Sequence, residues 1–334
     1  MKVLVLVNGA KCAHDYGSAY IIDGLRTVCG ADNVFDFPQP PCLHLKPGEP
    51  RDGCNIDSDA WWPMKSLNTL SDVLAGVDVV LIGFGPGVDA MSAYTAGNIC
   101  NKALPTVPVG VLDMSDQVVD LRGWYAQFLK RPFVYFKREL PLGANWGHPC
   151  PLTYPSWKAW EYLGSKEWAD KTNKLTVFYH ATDHGGGPPG VPRRQIVDAL
   201  RRMAQPPSLD VMLTPSQENR LSPEAYHERM ASALIGIAWN GAPNWDNNRA
   251  WENFAFGLCQ VMERPRIQIP HPPVHLEHAC LVDSPAEVAP MVRMLLSEGT
   301  ALDVAQEGHA WFLAHHAADR RAQYILDTIG AAGA

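Results

Sequence analysis

Short, unbroken apolar runs recur along this 334-residue chain, each ending in glycine or polar residues, and they leave few folds open. Lys2–Val7, Val79–Phe84, Pro108–Leu112 and Phe133–Phe136 show no polar alternation, so they read as strands covered on both faces. Such strands belong to parallel sheets layered between helices. Ser18–Val28 follows the first run with amphipathic spacing, giving strand, polar loop (Asn8–Gly17) and helix. The later runs stop at Gly85-Pro-Gly87, Asp113-Met-Ser-Asp116 and Lys137-Arg-Glu139. In a parallel sheet those ends gather on one rim, where ligands bind. Pro38–Trp62, rich in Pro, Gly, Cys and Asp, reads as a surface excursion.

Patterning fades over Leu142–Thr172, with prolines at 149, 151 and 155, and this stretch reads as a crossing between domains. A second series then starts: strand Leu175–Tyr179, glycine-rich loop His180–Gly190, helix Arg193–Met203, strand Leu209–Leu213, helix Ser222–Ala233 and strand Leu234–Ala238. Arg266–Ile269 and Ala279–Val282 read as short strands, and Ser284-Pro-Ala-Glu287 opens a helix with a capping-box pattern. Ala301–Ile329 reads as one almost continuous helix. The predicted architecture is α/β: Rossmann-like domains over 1–160 and 172–300, then a helical segment 301–334 that can pack back on the first. A chain of this length is more than one core usually organises.

With 28 basic and 35 acidic residues the net charge is −7. That argues against a general nucleic-acid or anionic-membrane partner. No run approaches the roughly 20 apolar residues of a membrane span, and the N-terminal run is too short for a signal peptide. Eight cysteines lie scattered without a CxxC pair, which fits reduced thiols in the cytoplasm.

The segment Ile235–Gly257 carries the most chemistry. It reads as a buried strand, a polar loop (Trp239-Asn-Gly-Ala-Pro-Asn-Trp-Asp246) and a helix, an arrangement that suits a phosphate at the helix start. Arg249, Glu252, Asn253 and Phe256 share one helical face. Arg249 and Glu252 are one turn apart, so they can clamp the phosphate and sugar hydroxyls of a nucleotide. The alternative is an intrahelical ion pair worth a few tenths of a kcal/mol. Asn240 and Gly241 belong to the same loop, and Trp239 or Trp245 can stack on a base or simply pack. In the loop after Tyr179, Gly185 and Gly186 permit close backbone approach to a diphosphate, with Arg193 and Arg194 following. His180, Asp183 and His184 form too small a set for zinc.

Two Rossmann-like halves with this C-terminal part resemble GT-B glycosyltransferases, most of all the group-1 and spore-maturation-type (CgeB-like) members. The similarity spans residues 105–330. It rests on Arg249-x-x-Glu252-x-x-x-x-Gly257, Val282-Asp-Ser-Pro-Ala-Glu287, Glu307–Arg321, and Asp113-x-x-Asp116 followed by Tyr135-Phe-Lys-Arg-Glu139. Gln260 stands where a second glutamate would follow Glu252. The resemblance implies two domains facing a cleft and a nucleotide-sugar donor on the C-terminal side, with Glu252 on the ribose. It also implies no catalytic metal or other cofactor. Lys137 and Arg138 would then meet the leaving diphosphate, or form an ion pair with Glu139. A base for the acceptor hydroxyl would come from the N-terminal rim: His14 or Asp15, with Asp89, Asp113 and Asp116 as rivals. Asp15 can equally cap a helix. The implied activity is transfer of a sugar to polysaccharide, protein, a small molecule or, least favoured by charge, hydroxymethylated DNA. A GT-B sugar-nucleotide epimerase and a non-catalytic nucleotide- or sugar-binding protein are the alternatives.

Overall fold

The computed structural model describes residues 1–7, 16–37, 73–84, 90–115, 117–163, 175–182, 190–203, 209–214, 221–239 and 246–333. The chain divides into two units. One comprises Met1–Thr153, Gln268–Pro270 and Ala318–Ala334; the other comprises Tyr154–Ile267 and His271–Ala317.

The first unit holds a six-stranded sheet: β1 (Val3–Val7), β2 (Val34–Phe37), β3 (Val79–Phe84), β4 (Val109–Asp113), β5 (Val134–Lys137) and β6 (His148–Pro149). Its order is β2-β1-β3-β4-β5-β6, and every pair is parallel. The apolar run of β1 has no polar alternation because both pleats are buried. Val3, Val5 and Val7 join Ile21, Ile22 and Leu25 of α1 (Tyr16–Cys29) in one core. Leu4 and Leu6 enter another with Cys100, Tyr125 and Leu129. Helices α2 (Ala90–Asn98) and α3 (Arg122–Phe128) lie on that second side. Strand β2 escapes the apolar-run criterion because Asp36 interrupts it; Asp36 is buried, 3.9 Å from Arg26 of α1.

The second unit carries α4 (Ser156–Leu163), β7 (Leu175–Thr182), α5 (Gly190–Arg201), β8 (Leu209–Thr214), α6 (Pro223–Ala231), β9 (Ala233–Ala238), α7 (Asn248–Ala255), β10 (Cys259–Glu263), β11 (Cys280–Val282), α8 (Pro285–Glu298) and α9 (Ala301–His315). Its parallel sheet runs β11-β10-β9-β7-β8. Val177, Tyr179 and Ala181 of β7 face a core with Ile196, Leu200 and Val292. On the opposite pleat, Phe178 and His180 meet the ring of Tyr226 on α6. Ser222 caps α6 by accepting the Ala225 N–H at 3.3 Å, with proline at the first turn.

Two sequence expectations change. The predicted strand over Arg266–Ile269 is replaced by β10, which follows α7 almost at once. Gln268 instead joins the first unit: its backbone N–H donates to Leu140 at 2.8 Å, and its amide reaches the Pro141 and Ala144 carbonyls at 2.9 and 2.6 Å. The helix predicted over Ala301–Ile329 breaks at His316-Ala317, giving α9 and α10 (Ala318–Gly333). Helix α10 belongs to the first unit, with Ala322, Ile325, Leu326 and Ile329 in the core that β1 and α1 line. The approach to α1 requires glycine at position 24, where a Cβ would lie 2.0 Å from the Ala318 carbonyl oxygen. Among the described residues no helix is long and apolar enough to cross a membrane. Pro38–Trp62 lies outside the described residues.

Candidate functional site

At the carboxyl ends of β7 and β9, cationic and donor groups converge. Arg249 is the second residue of α7, and its guanidinium carbon stands 5.8 Å from the Tyr179 ring centroid. Burial lowers its pKa, but Tyr226, Tyr179 and Glu252 together outweigh that and hold it above the ordinary value. Arg193, on the second turn of α5, is buried at 7 % exposure. Burial and then the Arg249 charge push the Arg193 pKa down, so the two guanidiniums stand close enough to repel each other. Two further polar atoms point to a ligand. The Tyr179 hydroxyl and the Trp239 indole N–H are sealed from solvent and have no hydrogen-bond partner among the described residues. Leaving such a buried group unmet costs about 1–3 kcal/mol. Positive charge with unmet donors is what a multiply charged anion satisfies.

Beside this cluster, Tyr226 links both helical candidates. Its hydroxyl donates to Oε2 of Glu252 at 3.2 Å and lies within the field of the Arg249 charge. Next to it, the His180 ring nitrogen Nε2 lies 2.7 Å from Oδ1 of Asp210, whose Oδ2 accepts from Arg229 at 2.9 Å. Burial lowers the His180 pKa, and Asp210 offsets only part of the effect. The neutral ring then donates Nε2–H to the carboxylate, which fixes its tautomer. Sequence reasoning passed over Tyr226, Asp210 and Arg229. The available signal was Tyr226 and Arg229 at i, i+3 on the capped helix before the strand that leads to Arg249.

Residues 193–327 match a family model described as glycosyl transferase-like. Among solved structures, an alpha-glucosyltransferase (AGT) in complex with UDP superposes with TM-score 0.65 at 11 % identity, over 99 % of this chain and 100 % of that one. Anabaena HepE in complex with UDP-glucose gives 0.55 at 10 % identity, over 99 % and 100 %. The N-terminal domain of Candida albicans trehalose-6-phosphate phosphatase gives 0.52 at 10 % identity, over 80 % and 74 %. The fold is GT-B. No curated protein matches the chain in sequence.

Within this GT-B chain several predicted positions take other roles. Asn253 is fully buried; its amide donates to Oε1 of Gln260 at 2.6 Å, and it lies against Gly236, where a Cβ would sit 2.6 Å from Asn253 Cγ. It is an interior residue of the second unit and not a donor contact. Gln260 lies inside β10, so the position eight after Glu252 points into the protein. Phe256 is buried and stacks on His227 at 5.4 Å. Trp239 packs in the core shared with Tyr179, offering only its N–H edge. The start of α7 is already capped, since Asn247 Oδ1 accepts the Ala250 N–H at 3.1 Å. Side chains therefore carry more of the site than the helix terminus does.

In the first unit, Lys137 cannot meet a leaving diphosphate. Its ammonium lies 3.2 Å from Oδ1 of Asp113 and donates to the Ser115 carbonyl at 3.0 Å and hydroxyl at 2.8 Å, which uses all three protons. Burial lowers its pKa more than Asp113 restores it. Asp113 also accepts the Ser115 N–H at 3.0 Å and the Tyr135 hydroxyl, so it is no base candidate. Arg138, on the other pleat, is half-buried with its guanidinium 3.5 Å from the Met114 carbonyl. His14, Asp15, Asp89, Asp116, Asp183, His184, Gly185, Gly186, Asn240, Gly241 and Trp245 lie outside the described residues. Among the described residues no three His, Cys, Asp or Glu side chains gather to hold a metal.

Proposed function

We propose that this GT-B protein transfers a sugar from a UDP-sugar to an acceptor hydroxyl. The observation that carries the reading is the pair of guanidiniums in the second unit, Arg249 over the Tyr179 ring and Arg193 within reach of its charge. A nucleoside diphosphate answers the two guanidiniums, and Glu252 answers its sugar hydroxyls. The group-1 and spore-maturation-type pattern around Arg249 and Glu252 supports the same assignment. AGT and HepE, both in complex with UDP or UDP-glucose, support uridine as the base.

The two guanidiniums neutralise the charge that grows on the diphosphate as the glycosidic bond breaks, so the reading calls for no resident metal or cofactor. Gly185, Gly186, Asn240 and Gly241 are proposed to complete the phosphate contacts, and His14 or Asp15 to take the acceptor proton. The acceptor remains one of the hydroxyl classes named above. Cys29, Cys100, Cys150, Cys259 and Cys280 are thiols, which fits a reducing, cytoplasmic setting.

The test is a melting panel of UDP, GDP, ADP, CMP and dTDP, followed by nucleotide release from the sugar form that binds. At 100 times its dissociation constant a ligand adds about 2.7 kcal/mol to the native state. UDP should raise the melting temperature, and UDP release should depend on acceptor. Binding without release indicates a binding module, and donor conversion without acceptor indicates an epimerase. No shift with any nucleotide at millimolar concentration sinks the reading.

A further inference from the structure

We propose that Tyr226 is a positioning residue that sets this site's preference for ribonucleotides over deoxyribonucleotides. The inference rests on the donor reading above and concerns how Glu252 is presented. Arg249 and Glu252 sit one turn apart on α7, spacing at which guanidinium and carboxylate ordinarily close on each other. Tyr226 reaches between them from α6. Its hydroxyl gives its proton to Oε2 of Glu252 at 3.2 Å, with the Arg249 charge beside it. The carboxylate is thereby held at a defined angle. A carboxylate only accepts hydrogen bonds, so beside a diphosphate its counterpart is the hydroxyl pair of the attached sugar.

The tyrosine is itself fixed. Its ring meets Phe178 at 5.2 Å and 70°, His180 at 6.5 Å and 77°, and His227 at 5.7 Å and 73°, all edge to face. His180 is tethered in turn to Asp210 and Arg229. A hydroxyl on so constrained a ring has one place to be, and it transmits that position to Glu252.

The experiment compares the dissociation constants of UDP and 2′-deoxy-UDP, by titration calorimetry, for the full chain, for Tyr226→Phe and for Glu252→Gln. A hydrogen bond to a charged group commonly changes affinity by about ten-fold or more. The natural chain should prefer UDP by about that factor, and Tyr226→Phe should bring the ratio close to one. A merely structural tyrosine would weaken both nucleotides equally and leave the ratio intact, which overturns the proposal. So does a natural chain that binds UDP without any ribose preference. Whether or not Tyr226→Phe folds, a retained ratio in Glu252→Gln overturns the proposal, because the carboxylate that Tyr226 holds would then set no preference. Failure of the natural chain to bind UDP at all removes the donor reading as well, so the two failures are told apart.

Discussion

The Lys137 ammonium stands 3.2 Å from Oδ1 of Asp113, with both side chains closed to solvent. The pair ties the carboxyl end of β5 to that of β4, and Ser115 and Tyr135 satisfy what remains. Lys137→Met leaves a carboxylate buried without its counter-charge, which should cost about 3–5 kcal/mol. Urea unfolding should show that loss while UDP affinity stays unchanged. A variant of natural stability with weakened UDP binding would return Lys137 to the phosphate.

Arg193 and Arg249 invite the opposite pattern. The Arg249 charge makes the Arg193 guanidinium harder to bury. Arg193→Gln should therefore lose less stability than Lys137→Met, since relief from the Arg249 charge offsets the contacts removed. Its UDP affinity should fall by about 10–100-fold, the value of a charged hydrogen bond. Melting and titration together check this, and a destabilised variant with natural affinity would refute it.

His227 predicts an acid-sensitive second unit. Burial, then the Lys158 charge, lower its pKa from 6.5 to about 3. Below pH 6.5 the unfolded chain protonates this ring and the folded chain does not, so protons favour unfolding. Stability should be flat above pH 6.5 with respect to this group. It should fall by about 1.4 kcal/mol per unit from there toward pH 3. His227→Gln should flatten that limb in unfolding measured across pH. An unaltered acid limb would mean that other groups set it.

Gly24→Ala tests the return of α10. A methyl group there meets the Ala318 carbonyl oxygen at 2.0 Å, and backbone cannot rotate away as a side chain can. The variant should lose about 1–3 kcal/mol, as over-packed sites do. Limited proteolysis should cut first within α10, and protection equal to the natural chain would contradict the close approach.

Much of this was legible from residue patterns, because parallel strands advertise themselves. Val3–Val7 and Ala233–Ala238 are buried on both pleats, so an apolar run without alternation is their direct signature. The spacing of Arg249 and Glu252 gave the right helix. Partners from distant segments were not legible. Tyr226 reaches Glu252 across 26 residues and Asp113 takes Lys137 across 24, and spacing along one element says nothing of either. Asn253 misled for a related reason. Four residues after Arg249 is one helical face only to a first approximation, and the small rotation per turn carried it over Gly236 into the interior.

Helix α10 also fixes an order of events. Ile325, Leu326 and Ile329 complete a core begun by Val3, Val5 and Val7, yet the ribosome delivers them only after the whole second unit. During synthesis, the first sheet waits with one apolar side covered by α1 alone while the second unit emerges. The N-terminal unit is thus the last to be finished, since its core closes only once Ile325, Leu326 and Ile329 are free to pack.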